Sequence, residues 1–378
     1  MVMRSGMTDH SFPFSLEFVD TPAILIERPV LNDNVARMQQ HASQCGVKLR
    51  PHIKTHKSVQ LTRLQLEAGA VGIAVAKITE AEVMARAGVN DIQIANQVVG
   101  PMKAAKLLEL SRIVNVSCAV DSFQNASELS NLFTRQGRQL DVLVEVDTGL
   151  HRCGLSDISA IVTLCQQIVM LRGLRLIGVM THAGHAYGAR SLDELAEIGR
   201  QEGKFLVEAA GVIRDAGITV DTVSVGSTPT ASYAAAVEGV TELRVGNYIF
   251  NDRMQLALGV ATNDQCALSV LATVISVPAA DRAVIDAGSK VFSSDAGAHG
   301  RASLVGFGLI LGKKATVTRL SEEHGVIEST PGLFRLGEKV RIIPNHACAV
   351  MNQLDFAYLV DSGQVVDRIS IDARGMVA

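Results

Sequence analysis

Residues 49–58, LRPHIKTHKS, place Arg50, His52 and Lys54 at every second position, so that in a strand these basic groups would share one face. Burying a lysine is costly unless its charge is paired or it takes part in chemistry. A buried lysine amine has a readily lowered pKa, which suits it to form a Schiff base with a carbonyl group. Alternatively, the strand ends a residue or two earlier and leaves Lys54 and Lys57 as surface charges. Taken alone, the segment favours this alternative.

His346 and Cys348, in PNHAC, are a second pair of residues that could do chemistry. At positions i and i+2 of a strand their side chains would project to one face, where an imidazole and a thiolate can bind one divalent ion. The same spacing fits a buried histidine and cysteine in a β core. Spacing alone favours that simpler interpretation.

The segments around these residues predict the elements that must position them. From residue 47 to about 250, short β-branched runs alternate with helical patterns, which is typical of βα units around a parallel sheet. Segments 79–88 and 121–137 begin with a threonine or an aspartate that could cap a helix, and both end at glycine. Eight strands are expected, the number in a closed (β/α)8 barrel. They cover residues 47–54, 71–76, 91–96, 113–120, 141–147, 176–182, 222–227 and 242–250.

The pattern changes after about residue 262, where strand candidates follow one another with few helical signals. That part of the chain predicts an antiparallel β domain, and the segment DTPAILIE (20–27) could pair with it. We therefore predict an α/β protein with a TIM-type barrel over residues 28–258. The β-rich domain would comprise residues 1–27 and 259–378.

The ends of the seventh and eighth predicted strands could bind a phosphate group. Barrel enzymes carry their sites at the carboxyl ends of the strands, often with a phosphate held by the last two loops. Backbone N–H groups of small residues can surround a phosphate, although each segment alone also fits an ordinary turn. A Schiff-base lysine opposite such a site suggests pyridoxal phosphate bound to Lys54. The two segments are Gly226, Ser227, Thr228 and Gly246, Asn247, Tyr248.

Seven ordered motifs resemble those of the fold-type III pyridoxal-phosphate enzymes related to D-threonine aldolase and D-serine dehydratase, which are similar to alanine racemase. The resemblance implies an internal aldimine on Lys54 and places Arg152 beside the phenolic oxygen of the cofactor. It also implies that both glycine-containing segments bind the phosphate, and we assign His52 and Gln97 to cofactor binding. The resemblance spans about residues 20–375, and its motifs are RPHIKTHK, VEVDTGLHRCG, THAGHAYG, SVGSTPT, DAGSK, EHG and PNHAC.

The resemblance further implies a divalent metal held by His346 and Cys348 near the cofactor. The cysteine favours Zn²⁺ because both are soft, while several relatives use Mn²⁺, so both ions stay open. In THAGHAYG, His182 and Tyr187 are the candidate catalytic groups, and His185 is a further candidate. Any of them could instead pack against the cofactor ring. In DAGSK, Asp286 and Lys290 are expected near the mouth of the site, although a plain turn fits equally well.

The same resemblance implies a lyase for D-β-hydroxy-α-amino acids. We expect a D-threonine aldolase, which cleaves its substrate to glycine and an aldehyde, because IANQVVGP and DVLVEVDTG favour it. The alternative is a D-serine or D-threo-3-hydroxyaspartate dehydratase giving a keto acid and ammonia, which SVGSTPT and PNHACA favour. A third reading is an amino-acid racemase, for which Tyr358 is the single tyrosine after the barrel, or a non-catalytic pyridoxal-phosphate-binding protein.

Composition excludes several other classes of protein. A net charge of −3 and a pI near 6.4, with no basic run interleaved with aromatic residues, argue against a nucleic-acid partner. No apolar stretch is long enough to span a membrane, and the six cysteines form no CxxC pair, so a cytoplasmic protein with reduced thiols is expected. The expected partner is a small D-amino acid. The resemblance implies a homodimer, since relatives build the site mouth from two subunits.

Overall fold

The structure is a computed structural model that describes residues 12–297 and 304–378. Residues 1–11, which the sequence assigns to the β domain, therefore lie outside the described part. The described chain forms one sheet of eight strands and another of ten.

The eight-stranded sheet is parallel, and its strands lie in the eight regions predicted. The last strand pairs with the first, with Glu242 opposite Lys48. Between the first two strands, the N–H of Ala74 donates to the carbonyl of Pro51 at 2.8 Å. The strands are Lys48–Leu49, Ile73–Val75, Asp91–Gln97, Asn115–Val120, Leu140–Val146, Leu174–Thr181, Thr222–Val225 and Glu242–Leu243.

The first and last of these strands are much shorter than predicted. After Leu49 the chain turns into a 3-10 helix at Ile53–Thr55, because the His52 imidazole accepts the N–H of Lys54 and stabilises the turn. The prediction that Lys54 lies on a strand was therefore wrong. The last strand likewise gives way to a 3-10 helix at Asn247–Ile249.

Helices connect the parallel strands and pack against them. The predicted threonine cap at Thr79 was wrong, because the Glu80 carboxylate binds the free N–H groups of Ala76 and Lys77 at the start of that helix. The long helices are Arg28–Gln44, Val59–Glu67, Ile78–Arg86, Pro101–Leu110, Phe123–Arg135, Ile158–Val169 and Leu192–Asp215. The short ones are Ala231–Ala234, Arg253–Ala257, Ser289–Phe292 and Ala347–Met351.

The ten-stranded sheet is antiparallel except where Ala23–Glu27 runs parallel to Phe356–Asp361. The same early strand pairs antiparallel with Leu268–Ala279. Because Lys339–Pro344 also pairs with Leu268–Ala279, six strands close into a small barrel. The remaining strands are Phe14–Ser15, Arg282–Ile285, Gly308–Ile310, Thr316–Leu320, Gly325–Glu328 and Gln364–Ser370.

One continuous group of buried apolar side chains connects the two sheets, for example Leu49 and Leu243 from one and Ile24 and Val270 from the other. The two sheets therefore share a core. Within the described ranges, no helix is both long enough and apolar enough to cross a membrane.

Gly178 provides a test of the parallel sheet. A methyl group at this position would lie 2.0 Å from the Thr222 carbonyl oxygen on the neighbouring strand. We expect G178A to destabilise the protein by about 1–3 kcal/mol, because the strands must separate to accept it. The matched control is G211A, where the added methyl meets nothing within 4 Å on a helix and should stabilise by about 0.5–1 kcal/mol. Equal thermal unfolding midpoints for the two variants would contradict this packing.

Candidate active site

A cavity of about 540 Å³ is lined by residues at and beyond the carboxyl ends of the parallel strands. Its volume lies in the usual range for small-molecule sites. Thirteen of the residues assigned to the site from sequence line it: His52, Lys54, Gln97, Arg152, His182, Tyr187, Gly226, Ser227, Thr228, Gly246, Asn247, His346 and Cys348.

Lys54 enters this cavity from the 3-10 turn that follows the first strand. The turn is held by a 3.4 Å hydrogen bond from the Lys54 N–H to Nδ1 of His52. Burial lowers the pKa of Lys54, although the nearby Cys348 acts in the opposite direction. Burial also holds the pKa of His52 well below its ordinary value, so this imidazole is neutral at pH 7. Lys54 is thus a half-buried residue in surroundings that lower the pKa of its amine.

The other basic residues of the opening segment are buried and paired. Arg50 donates to Glu242 at 2.8 Å, and Lys57 forms a 3.1 Å ion pair with Glu80. Lys57 is therefore not a surface charge. It lies two residues before the next helix, which begins at Val59. These pairs offset the cost of burying the charges and hold the segment on both sides of Lys54.

The two glycine-containing segments meet at one side of the cavity. Gly226 has φ of +144°, and a methyl there would lie 2.8 Å from the Arg244 nitrogen, so the close approach requires glycine. Its N–H donates to Glu202 at 2.9 Å, which means that this amide is already bonded within the protein. Ser227 and Thr228 follow it along the wall of the cavity, where the Ser227 hydroxyl lies 3.0 Å from that of Thr230.

Tyr248 turns its side chain away from the cavity, so its phenol cannot contribute to the predicted phosphate site. Its hydroxyl accepts a 2.9 Å hydrogen bond from Gln65, which also binds His56 at 3.1 Å. Because Nδ1 of His56 accepts the Ser58 N–H, Nε2 carries the proton and donates to Gln65. Only the backbone of Tyr248 contacts the predicted segment, through its N–H and the Thr228 hydroxyl.

His182 and Tyr187 have different chemical capacities. Nδ1 of His182 lies 3.0 Å from the carbonyl oxygen of Gly226, so Nδ1 carries the proton and Nε2 can accept one. Burial raises the pKa of Tyr187 far above its ordinary value, so its phenol stays protonated. Its oxygen accepts a 3.3 Å bond from Gln255. The third candidate, His185, packs near Gly149 and does not line the cavity.

Arg152 lies at the rim of the cavity, 3.8 Å from the buried Glu145. Gln97 donates to Glu145 at 2.5 Å and to Asp121 at 3.1 Å, so its amide holds the carboxylate that faces the arginine. Burial raises the pKa of Glu145, while Gln97 and Arg152 act against that rise.

Sequence reasoning missed Arg244, which lines the cavity while almost fully buried. Its guanidinium donates to the Ser224 hydroxyl and to the Thr181 carbonyl, each at 2.6 Å. A charged residue in the middle of the predicted strand 242–250 was the signal that could have revealed it, as it did for Lys54. Glu145 carried the same signal within strand 141–147.

His346 and Cys348 lie at the start of the helix Ala347–Met351 and not on a strand, so the predicted geometry was wrong. The preceding strand ends at Pro344, before the pair. Their side chains nevertheless lie close enough for each to shift the pKa of the other.

The charges around this pair favour an imidazolium beside a thiolate. Burial opposes the charge on His346, but Cys348 and Asp295 outweigh it and raise its pKa well above the ordinary value. Burial likewise opposes the Cys348 thiolate, but His346 and then Thr55 outweigh it and lower the cysteine pKa. Nδ1 of His346 is 2.6 Å from the Asp295 carboxylate.

This donor set fits a divalent ion with two protein ligands. Asp295 occupies Nδ1 of His346 and leaves Nε2 as the nitrogen for a metal, an arrangement common in metal sites. The described residues contain no cluster of three or more candidate metal ligands. Two protein ligands would leave positions for water or substrate, as catalytic sites do. The cavity also fits pyridoxal phosphate, because Lys54 supplies an amine for the aldehyde while arginines and hydroxyls match its anionic groups.

Asp286 and Lys290 do not line the cavity, contrary to the expectation that they lie near its mouth. Asp286 binds the Thr21 hydroxyl and the Thr273 N–H within the β domain. Lys290 pairs with Glu323 on the surface. Both are structural residues of that domain.

Comparison with known proteins matches both parts of the chain. Residues 26–254 match the alanine racemase N-terminal domain, and residues 267–360 match the putative serine dehydratase domain. The chain belongs to the fold-type III pyridoxal-phosphate enzymes that join these two domains, which confirms the family predicted from the motifs.

Individual relatives match over nearly the whole chain. A D-threonine aldolase from Arthrobacter sp. is 37% identical over 365 residues, covering 94% of this chain and 93% of that protein. A D-threo-3-hydroxyaspartate dehydratase from Delftia sp. (strain HT23) is 38% identical over 349 residues, covering 88% and 91%. The crystal structure of D-threonine aldolase from Filomicrobium marinum matches with a TM-score of 0.91 at 30% identity, covering 99% and 100%. A cysteine-to-alanine variant of a D-threo-3-hydroxyaspartate dehydratase was solved in the metal-free form.

The His56 contacts predict a dependence of stability on pH. Burial lowers the pKa of His56 from 6.5 to about 4, so between these values protons bind the unfolded chain preferentially. The contribution of His56 to the free energy of unfolding should be fully present above pH 6.5. The free energy of unfolding should then fall by up to about 3 kcal/mol as the pH drops to 4. H56Q should flatten this slope in thermal unfolding, whereas H324Q, at an exposed histidine, should not. An unchanged slope in H56Q would reject the assignment.

Proposed function

We propose that this protein is a pyridoxal-phosphate- and metal-dependent lyase for D-β-hydroxy-α-amino acids, with D-threonine aldolase activity. The observation that carries the proposal is that one cavity holds Lys54, the segment at 226–228 and the His346–Cys348 pair. The Arthrobacter D-threonine aldolase, 37% identical over 94% of this chain, supports the choice of reaction.

Lys54 would hold the cofactor covalently through Nζ, and its lowered pKa favours the neutral amine that this bond requires. Ser227, Thr228 and Asn247 would bind its phosphate, with His52 beside it. Once bound, pyridoxal phosphate takes up the electron pair left at the substrate Cα.

His346 and Cys348 would bind the divalent ion, Zn²⁺ or Mn²⁺, with Asp295 orienting the imidazole. A bound ion lowers the pKa of a coordinated hydroxyl group. The metal-free cysteine variant of the related dehydratase supports a role for the thiolate.

His182 is our candidate for the general base, since Nε2 can accept the proton of the substrate β-hydroxyl. The loss of that proton allows the Cα–Cβ bond to break and an aldehyde to leave. Tyr187 keeps its proton and can donate a hydrogen bond to an oxygen of the substrate. Arg152, held against Glu145, supplies positive charge at the rim.

A dehydratase is the second candidate, supported by the 38% identity to the Delftia enzyme. In that reaction Lys54 would remove the α-proton, and the β-hydroxyl would leave from the metal side of the cavity. A racemase has less support, because Tyr358 packs between Phe14 and Phe356 in the β sheet, outside the cavity. A non-catalytic cofactor-binding protein has no need of the serine dehydratase domain found at 267–360.

We also infer that the parallel sheet closes into the predicted barrel, supported by the 2.8 Å bond between Ala74 and Pro51. The division into residues 28–258 and the two outer segments, and the homodimer implied by the family, remain proposals. Light scattering at several protein concentrations tests the dimer.

The purified enzyme with pyridoxal phosphate and Mn²⁺ should convert D-threonine to equal amounts of glycine and acetaldehyde. K54A should give neither product, because the cavity then lacks the amine that holds the cofactor. Chromatography of the products with D-threonine and D-serine distinguishes the candidates. Formation of 2-oxobutanoate and pyruvate with ammonia would establish the dehydratase, and L-amino acids would establish a racemase.

Chelation should abolish turnover, and Mn²⁺ or Zn²⁺ should restore it, because the β-hydroxyl is a poor acid without a metal. C348A should bind metal at least about tenfold more weakly. The matched control is C45A, which removes a thiol at the end of the first long helix, outside the cavity. Turnover that survives chelation, or equal metal content in both variants, would reject the metal site.

A further inference from the structure

Asp252 is a completely buried carboxylate at the junction of the two sheets. Its Oδ1 accepts the N–H groups of Met254 and Gln255 at 3.1 and 3.3 Å. Its Oδ2 accepts the side-chain amide of Asn247 at 2.6 Å and the N–H of Ala347 at 3.0 Å. Four neutral donors thus satisfy the carboxylate, which makes its burial tolerable.

The two oxygens serve different parts of the molecule. Oδ1 caps the helix Arg253–Ala257 that Asp252 itself begins, a role that serine fills equally well. Oδ2 joins Asn247, which lines the cavity beside the 226–228 segment, to Ala347, which is separated from Asp252 by 95 positions. The second oxygen therefore links two separate segments of the chain and takes no part in capping the helix Arg253–Ala257.

The Ala347 end of this cross-link matters because of the residues on either side of it. His346 occupies the cap position of the helix Ala347–Met351, yet its side chain makes no capping bond there and binds Asp295 instead. Asp252 accepts the N–H of Ala347, which as a first-turn amide has no partner within the helix. The bond to Asp252 therefore fixes the backbone between His346 and Cys348, which lie on either side of Ala347 in the same helical turn.

We propose that Asp252 is a positioning residue that fixes the His346–Cys348 pair relative to the cofactor-binding wall at Asn247. This inference rests on the proposed function, since it assigns a purpose to the metal pair. Asp252 does not line the cavity and acts only through its two neighbours. Metal affinity and cofactor affinity should then depend on the same carboxylate.

D252S separates the two roles, because serine keeps the cap on Met254 and Gln255 but is too short to reach Asn247 and Ala347. The chelated enzyme is titrated with Co²⁺, and binding is measured by the thiolate-to-cobalt charge-transfer absorption. A second titration with pyridoxal phosphate is measured by the absorbance of the cofactor. D252S should bind Co²⁺ about 10–100-fold more weakly, which is the usual effect of removing a residue that supports a metal ligand. It should also bind pyridoxal phosphate more weakly. Its thermal unfolding midpoint should fall, because two buried N–H donors lose their acceptor.

N247A is the matched control because it cuts only the cofactor end of the cross-link. It should weaken pyridoxal phosphate binding and leave Co²⁺ binding within about threefold of the wild type, since Ala347 keeps its acceptor. If D252S does not fold, D252N replaces it, since an amide can serve the donors on one side but not those on both. The expected loss of Co²⁺ affinity is then the same in direction.

Wild-type Co²⁺ affinity in a folded D252S or D252N protein would overturn the inference. So would a loss no greater than that of I168V, whose shortened side chain leaves a small void in a buried helix face remote from the cavity. Product analysis of the wild type is independent of this outcome. If the wild type is active and metal-dependent but D252S keeps its Co²⁺ affinity, only the role of Asp252 is rejected. If the wild type shows no thiolate-to-cobalt absorption, the metal pair itself is rejected, and the inference with it.

Discussion

The burial of a lysine amine is the constraint on which the site depends. Water must be kept from Lys54 for its pKa to fall, yet the amine must stay open to the cavity. The chain meets both demands by ending the first strand early and turning at Ile53–Thr55, with His52 holding the turn. The ion pair of Lys57 with Glu80 then fixes the chain just beyond it. These contacts place a reactive group on a rigid support.

The two sheets contribute different chemistry to the same cavity. The parallel sheet supplies the amine, the arginines and the hydroxyls, whereas the β domain supplies His346, Cys348 and Asp295. A reaction that needs both sets depends on the junction, where Asp252 is buried. The shared core of apolar side chains keeps the two sheets together there.

The sequence predicted the features that arise from local pattern. Alternating β-branched runs located all eight parallel strands, and ordered motifs identified the family. Features set by distant partners were not predictable. Tyr248 turns away because Gln65, on another helix, binds its hydroxyl, and neither residue carries a local signal of that bond. The His346–Cys348 pair lies on a helix because the strand ends at Pro344, and its spacing fitted both structures.

The early strand Ala23–Glu27 has a consequence for how the chain is made. Its partners are Leu268–Ala279 and Phe356–Asp361, so the apolar edge AILI leaves the ribosome about 240 residues before its first partner. At ordinary rates of translation this wait lasts roughly 10–50 seconds. Throughout that interval an unpaired hydrophobic strand is open to other chains, which is the condition under which nascent proteins aggregate. The order of the strands along the chain therefore creates a need for chaperones while the protein is being synthesised.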